Sequence, residues 1–304
     1  MTASKGQVQA EPTEILAAEQ ELSNQALALL QKPSMAIPTV LLFVVALSTT
    51  IGTAYIHYLE LISNLTCQTV MVIAMIGLFT VGHDAAHGSL SKFNLFNAII
   101  ARISFWCLGP IALFPCWRFI HLEHHKHTNN PEKDPDNYSA TGYTFLLPFK
   151  WFTQIVFYAI YYFSIIEKRP GKEIAEFFSL AIVNFYGSLM LTHWGYGYLV
   201  WNYWILPSTF CHFFLVFLFD YLPHHGHSAT PQEDRYHTTS MLVFDSVLFF
   251  LQPILSVLMQ FQDYHLVHHL YPSLPFYRYK DMWNAKKDFL VHQKHVSVRP
   301  YVFL

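Results

Sequence analysis

The chain holds 18 histidines, as many as its lysines and arginines together, and several fall into spaced motifs. His83 and His87 stand four residues apart. His121, His124 and His125 form a second motif, with His127 just beyond it, and His265, His268 and His269 repeat the same spacing. Residues at i, i+3 and i+4 share one helical face, so each triplet predicts three imidazoles along one stripe. His224, four residues after Asp220, is a candidate ninth. Neutral imidazole suits iron, copper and zinc alike. A structural zinc takes four protein ligands and a catalytic one three, so eight or nine histidines exceed one metal and fit two metals with open positions. The cysteines Cys67, Cys107, Cys116 and Cys211 have no paired spacing and lie in or beside apolar runs. Neither a disulfide framework nor a thiolate site is expected. No His-Glu-x-x-His and no paired Glu-x-x-His is present. The remaining histidines read as bland ones. His57 and His193 fall by outer turns, and His212 lies inside an apolar run, where a hydrogen-bonded packing role is expected. His225 and His227 share the loop after His224, and His292 and His295 belong to a solvated tail.

The elements that must bring these motifs together follow from composition and charge. Of 304 residues, 53% are hydrophobic and only 12% charged, against about 25% charged in an average soluble domain. A soluble globular enzyme and a disordered chain are both excluded, and a net charge of −2 argues against a nucleic-acid partner. No Lys or Arg occurs between Lys32 and Lys92, or between Lys172 and Arg235. The first gap holds two apolar runs, Ala36–Ile56 and Leu65–Gly82, joined at His57–Asn64. The second is free of acids from Phe177 to Phe219, 43 residues, room for two spans of about 20 residues turning at Trp194-Gly195-Tyr196-Gly197. The predicted fold is an all-α integral membrane protein with four transmembrane helices in two hairpins. All basic residues then lie on one side with both termini and every histidine motif, and that side is cytosolic by the positive-inside tendency. Residues 1–35 read as a cytosolic arm with an amphipathic helix over 11–30, residues 36–285 as the membrane domain, and residues 286–304 as a cytosolic tail. Phe93–Pro115, interrupted by Arg102 and Pro110, and Phe145–Ile166, rich in aromatics, are expected to lie in the membrane interface, with buried spans and six crossings in all as the alternative.

His83-x-x-x-His87, His121-x-x-His124-His125 and His265-x-x-His268-His269 resemble the three histidine boxes of the membrane fatty acid desaturase superfamily, over roughly residues 36–285. The resemblance implies a di-iron centre that uses dioxygen to attack an unactivated C–H bond of a lipid. It carries His83, His87, His121, His124, His125, His265, His268 and His269 over as iron ligands, with His224 as the ninth. Asp220 stands where similar acyl desaturases place an Asn that holds a metal-bound water, and Pro223 is expected to interrupt the helix between Asp220 and His224. The stretches His121–His125, Asp134-Pro-Asp136, Phe219–His224 and Tyr264–Pro275 look nearest to β-carotene hydroxylases of the cyanobacterial type.

That chemistry needs an oxidant that side chains cannot supply. Acids beside the boxes, namely Asp84, Glu123, Asp134, Asp136 and Asp263, are candidates for orienting imidazole N–H groups, although Asp134-Pro-Asp136 could equally form a turn. Electrons are expected from a ferredoxin- or cytochrome-type donor. The substrate is a lipid, either an acyl chain or a carotenoid, reaching the centre through a tunnel walled by 93–115 and 145–166, with Gly109 as a small wall position. A histidine-rich membrane metal transporter is the alternative from another class. It requires ligands inside the spans, whereas the boxes lie outside them. A zinc-dependent membrane enzyme is the third reading.

Overall fold

A computed structural model describes residues 24–243 and 249–300, which are mostly helical. Helix α1 (Asn24–Leu30) is the described part of the expected N-terminal helix, whose residues 11–23 lie outside the described range. Helix α2 (Ile37–Tyr58) opens with Pro38 in its first turn, where a fixed φ suits the helix and no N–H is lost. After a turn through Glu60 (φ 59°), Ser63 caps α3 (Asn64–Ala86) by accepting the Thr66 N–H at 3.1 Å, which satisfies one of the helix's open donors. Both helices outrun the expected apolar segments. Because α3 continues unbroken to Ala86, His83 and His87 leave its last turn about 35 Å from that cap, at 1.5 Å per residue.

Helices α4 (Asn94–Cys107), α5 (Phe114–His127) and α6 (Leu147–Ser164) follow. None is among the three described stretches long and apolar enough to cross a membrane, which are Ile37–Tyr58, Asn64–Ala86 and Gly171–His224. One face of α6 buries Trp151, Gln154, Tyr158 and Tyr162 while Phe149, Phe152, Val156, Ile160 and Phe163 stay exposed. That two-sidedness suits a helix lying in the interface.

The third stretch has 54 residues, too many for one crossing, and it doubles back. Gly195 takes φ 91°, which glycine adopts without steric cost. Asn184, in α7 (Gly171–Leu191), donates to the Pro110 carbonyl at 2.9 Å. Ser208, in α8 (Leu206–Leu215), packs on the adjoining Gly109, where a Cβ would come within 2.5 Å of the Ser208 hydroxyl. Unbroken helix would hold residues 184 and 208 about 36 Å apart, so both reach one loop only because the chain reverses at Gly195, within the turn read from the sequence.

Helix α3 is central, packed on α2, α4 and α8 through Met71, Met75, Leu78 and Phe105. His57 Nδ1 meets the Tyr203 hydroxyl at 2.8 Å and Gln68 Nε2 donates to the Asn202 carbonyl at 2.9 Å. The two hairpin turns therefore share one end, opposite the histidine boxes. Beyond α8 the helix widens into a π turn, Val216–Tyr221, then tightens over Leu222–His224. The expected interruption at Pro223 thus takes the form of a π turn before it, a common device at functional sites.

The C-terminal part forms a cap from α9 (Gln252–Leu258), α10 (His265–Leu270) and α11 (Tyr279–Asp288), with its own core of Leu266, Tyr271, Met282 and Trp283 closed by Ala26 of α1. A two-stranded parallel ladder, β1 (Met241–Val243) with β2 (Val298–Pro300), is a small addition to the helical fold expected from the sequence. The ladder ties the tail down, since Arg299 also reaches the His225 carbonyl, although His292 and His295 remain exposed as expected.

Candidate metal centre

The nine histidines arrive from four elements. His83 lies in the last turn of α3 and His87 caps it; His121, His124 and His125 occupy the last two turns of α5; His224 ends the third apolar stretch; and α10 carries His265, His268 and His269. Two consecutive left-handed residues, Gln260 (φ 52°) and Phe261 (φ 59°), precede α10 and set its entry. Such backbone costs energy and persists where the surroundings over-determine it.

Packing divides the nine into two groups. His83, His87, His121, His125 and His268 bring one ring nitrogen each within 4.8 Å of one another, and His124, His224, His265 and His269 do the same. Each sequence triplet is therefore split, because i+3 and i+4 point to opposite flanks of their stripe. The inward atoms are Nε2 throughout: His83 to His268 at 3.1 Å, His87 to His121 at 2.8 Å, His121 to His125 at 3.1 Å, His224 to His265 at 3.0 Å, His265 to His269 at 3.1 Å and His124 to His269 at 3.4 Å. With metal–imidazole bonds of about 2.0–2.1 Å, neighbouring ligands at right angles stand about 3 Å apart. The donor set fits two metal ions with nitrogen ligands.

Electrostatics agree with that fit. Burial first, and then the charge of neighbouring imidazoles, hold His121, His125, His268 and His269 well below the ordinary histidine range, and His265 goes down to about 3. These rings are neutral at physiological pH, as metal ligation requires. His124 is the exception. Burial works against its charge, but Asp134 and Asp136 outweigh it and push the ring up to about 10.

That pair of carboxylates is what the sequence left open between turn and orienting role, and it does both. Asp134 Oδ1 accepts the His124 Nδ1–H at 2.9 Å, and Asp136 Oδ2 lies 3.2 Å from the same nitrogen. Asp134 also accepts the backbone N–H groups of Asn129 and Asp136. The other proposed acids act elsewhere. Asp84 accepts from the Thr39 hydroxyl and the Phe276 N–H, joining α2 to the cap. Asp263 accepts from Gln252 and Ser256, and Glu123 faces Lys126 and His127. Two tyrosines were not foreseen. The Tyr279 hydroxyl meets His268 Nδ1 at 3.0 Å, and Tyr158 donates to Asp136 Oδ1 at 2.5 Å. No spacing rule marks either, since both arrive from other elements.

Beneath the clusters lie two cavities. The inner, about 50 Å³, is lined by His83, His121 and His265 together with Phe79, Asp220 and His212. The outer, about 520 Å³, is almost wholly apolar and runs between α6, α7 and the α4–α5 loop. Trp117, Ile155 and Tyr158 belong to both walls. Asp220 is in neither nitrogen cluster and stands in the cavity wall instead. Gly109 lines neither cavity. It is the contact point with Ser208 at φ 109°, so a large residue there would break helix packing. His57 is hydrogen-bonded to Tyr203 as expected of a packing histidine, whereas His212 has no hydrogen-bond partner among the described residues.

The model of the family described as Fatty acid desaturase matches residues 62–300. The chain is 24% identical over 237 residues to an sn-1 oleoyl-lipid 12-desaturase of Anabaena variabilis, covering 71% of this chain and 66% of that protein. It is 29% identical over 208 residues to a beta-carotene ketolase of a Paracoccus species, covering 67% and 72%. An sn-1 acyl-lipid omega-3 desaturase (ferredoxin) of a Synechocystis species is 28% identical over 256 residues, covering 73% and 67%.

Proposed function

Because this chain belongs to the fatty acid desaturase family, we propose that it is a membrane di-iron oxidoreductase that uses dioxygen to take hydrogen from an unactivated C–H bond of a lipid. The observation that carries this reading is the five-and-four grouping of inward Nε2 atoms above an apolar cavity. In it, His83, His87, His121, His125 and His268 hold one iron, and His124, His224, His265 and His269 the other. When bound, the iron pair supplies the oxidant for C–H cleavage, which side chains cannot. Asp134, Asp136 and Tyr279 hold His124 and His268 in orientation through their Nδ1 atoms. The apolar walls exclude water and lay the lipid along α6 and α7, with its target carbon past Trp117. An acyl chain or a carotenoid-type ring fits this description, in keeping with relatives named as desaturases and as a ketolase. Electrons come from a ferredoxin- or cytochrome-type donor on the box side. Metal analysis of the purified protein tests the reading, with two irons per chain and dioxygen-dependent turnover expected. A zinc-filled protein that is active without dioxygen would sink it.

Outer partners of metal ligands are typically worth 10–100-fold in affinity or activity. Asp134→Asn should lower iron retention or turnover by about that factor, read by iron content after a chelator challenge. Unchanged retention and turnover would show that the carboxylate serves only the turn.

The reading further includes four crossings with the histidine boxes and both termini cytosolic. Cysteines introduced at Glu60 and Trp194 should react with a membrane-impermeant reagent from outside, and one at Glu132 should not. Reaction of Glu132→Cys from outside would contradict a shared face for the boxes.

A further inference from the structure

His212 lies in α8, inside the third apolar stretch, and shares a helical face with Leu215, Val216, Phe219 and Asp220, all of which line the inner cavity. Of the four histidines in that wall, His83, His121 and His265 belong to the nitrogen clusters and His212 does not. An imidazole within a membrane-spanning segment is costly and marks a functional position unless it is paired. His212 has no hydrogen-bond partner among the described residues, while Leu215, Val216 and Phe219 beside it offer no polar side chain. With Asp220, Gln154 and Gln262 it is one of the polar groups of that wall outside the nitrogen clusters, and the one imidazole among them.

We propose that His212 determines specificity by hydrogen-bonding an oxygen carried by the substrate, so that the site takes a lipid with a hydroxyl or carbonyl group close to its reacting carbon, as on an oxygenated isoprenoid ring. This rests on the reading above that the lipid's target carbon lies past Trp117, which borders the inner cavity. An acyl lipid does not fit the role. Its ester oxygens stay at the headgroup, many bonds from a mid-chain carbon that faces the histidines.

The test uses the full-length, iron-loaded protein in detergent, offered β-carotene, its ring-hydroxylated derivative, its ring-keto derivative and an oleoyl lipid separately. Pigment retained after gel filtration is measured beside turnover. One hydrogen bond predicts that at least one oxygenated pigment is retained about tenfold better than β-carotene. His212→Leu should bring that ratio to about one with iron content and β-carotene retention unchanged, and His212→Gln, which keeps a hydrogen-bonding group, should preserve most of it. A wild-type ratio near one, or a Leu variant that loses all pigments alike, overturns the proposal. If the wild type retains no carotenoid but desaturates an oleoyl lipid, this inference fails and the di-iron reading stands. If it converts none of these lipids, the proposed function fails with it.

Discussion

His268→Ala should lower turnover by more than about 100-fold and leave the chain with less than its full complement of iron, while the protein still accumulates in the membrane. The size follows from position. His268 is fully buried, its Nε2 lies 3.1 Å from that of His83, and its Nδ1 meets Tyr279. Loss of an outer partner typically costs 10–100-fold, and loss of the donor atom itself costs more. The membrane helices are expected to survive, because their packing rests on Met71, Met75, Leu78 and Phe105 rather than on the cap. His295→Ala is the matched control. That side chain is exposed, only its backbone carbonyl is used, by His237, and activity should be retained. Full activity in His268→Ala, with wild-type iron, is the outcome incompatible with the metal assignment.

Ala159→Trp should reduce turnover on the order of 100-fold, the scale associated with a displaced substrate, with iron content unchanged. Ala159 lies on α6 in the wall of the outer cavity, facing Phe177, Ala181 and Phe185 of α7 across it. An indole there enters open space rather than a packed core, so the strain of overpacking is small. The position replaces Gly109, which the sequence suggested as a wall residue and which instead seats Ser208. Iron content and turnover measured on the same preparation decide the matter. If iron is lost together with activity, this wall supports the metal centre and does not guide a substrate.

The histidine motifs were readable because imidazoles at i, i+3 and i+4 share one helical face and the spacing recurs along the chain. His83 with His87, and the two triplets, stand out in any chain this apolar, and the charge gaps around them mark the membrane segments. The turn at Gly195 was readable for a similar reason, since 43 residues without an acid exceed one crossing. Less legible were the partners that depend on distant chain segments. Asp84 and Asp134 are both acids beside a box, yet Asp84 bonds Thr39 and Phe276 while Asp134 holds His124. Tyr279 and Tyr158 carry no periodic signal at all, and the β1–β2 ladder joins segments more than 50 residues apart.

From the sequence alone came the histidine motifs and the long apolar runs, because these depend on residue chemistry and on local spacing along one helix. Only the tertiary structure decided which ring nitrogens come together. Each triplet is divided between two clusters, a division set by how α3, α5, α10 and the end of the third apolar stretch cross one another. The same holds for His212, an ordinary packing histidine by its neighbours in the chain. The face of α8 that turns toward the inner cavity gives it a different environment, and that face is chosen by packing against α3 and α6, long-range contacts that no local spacing encodes.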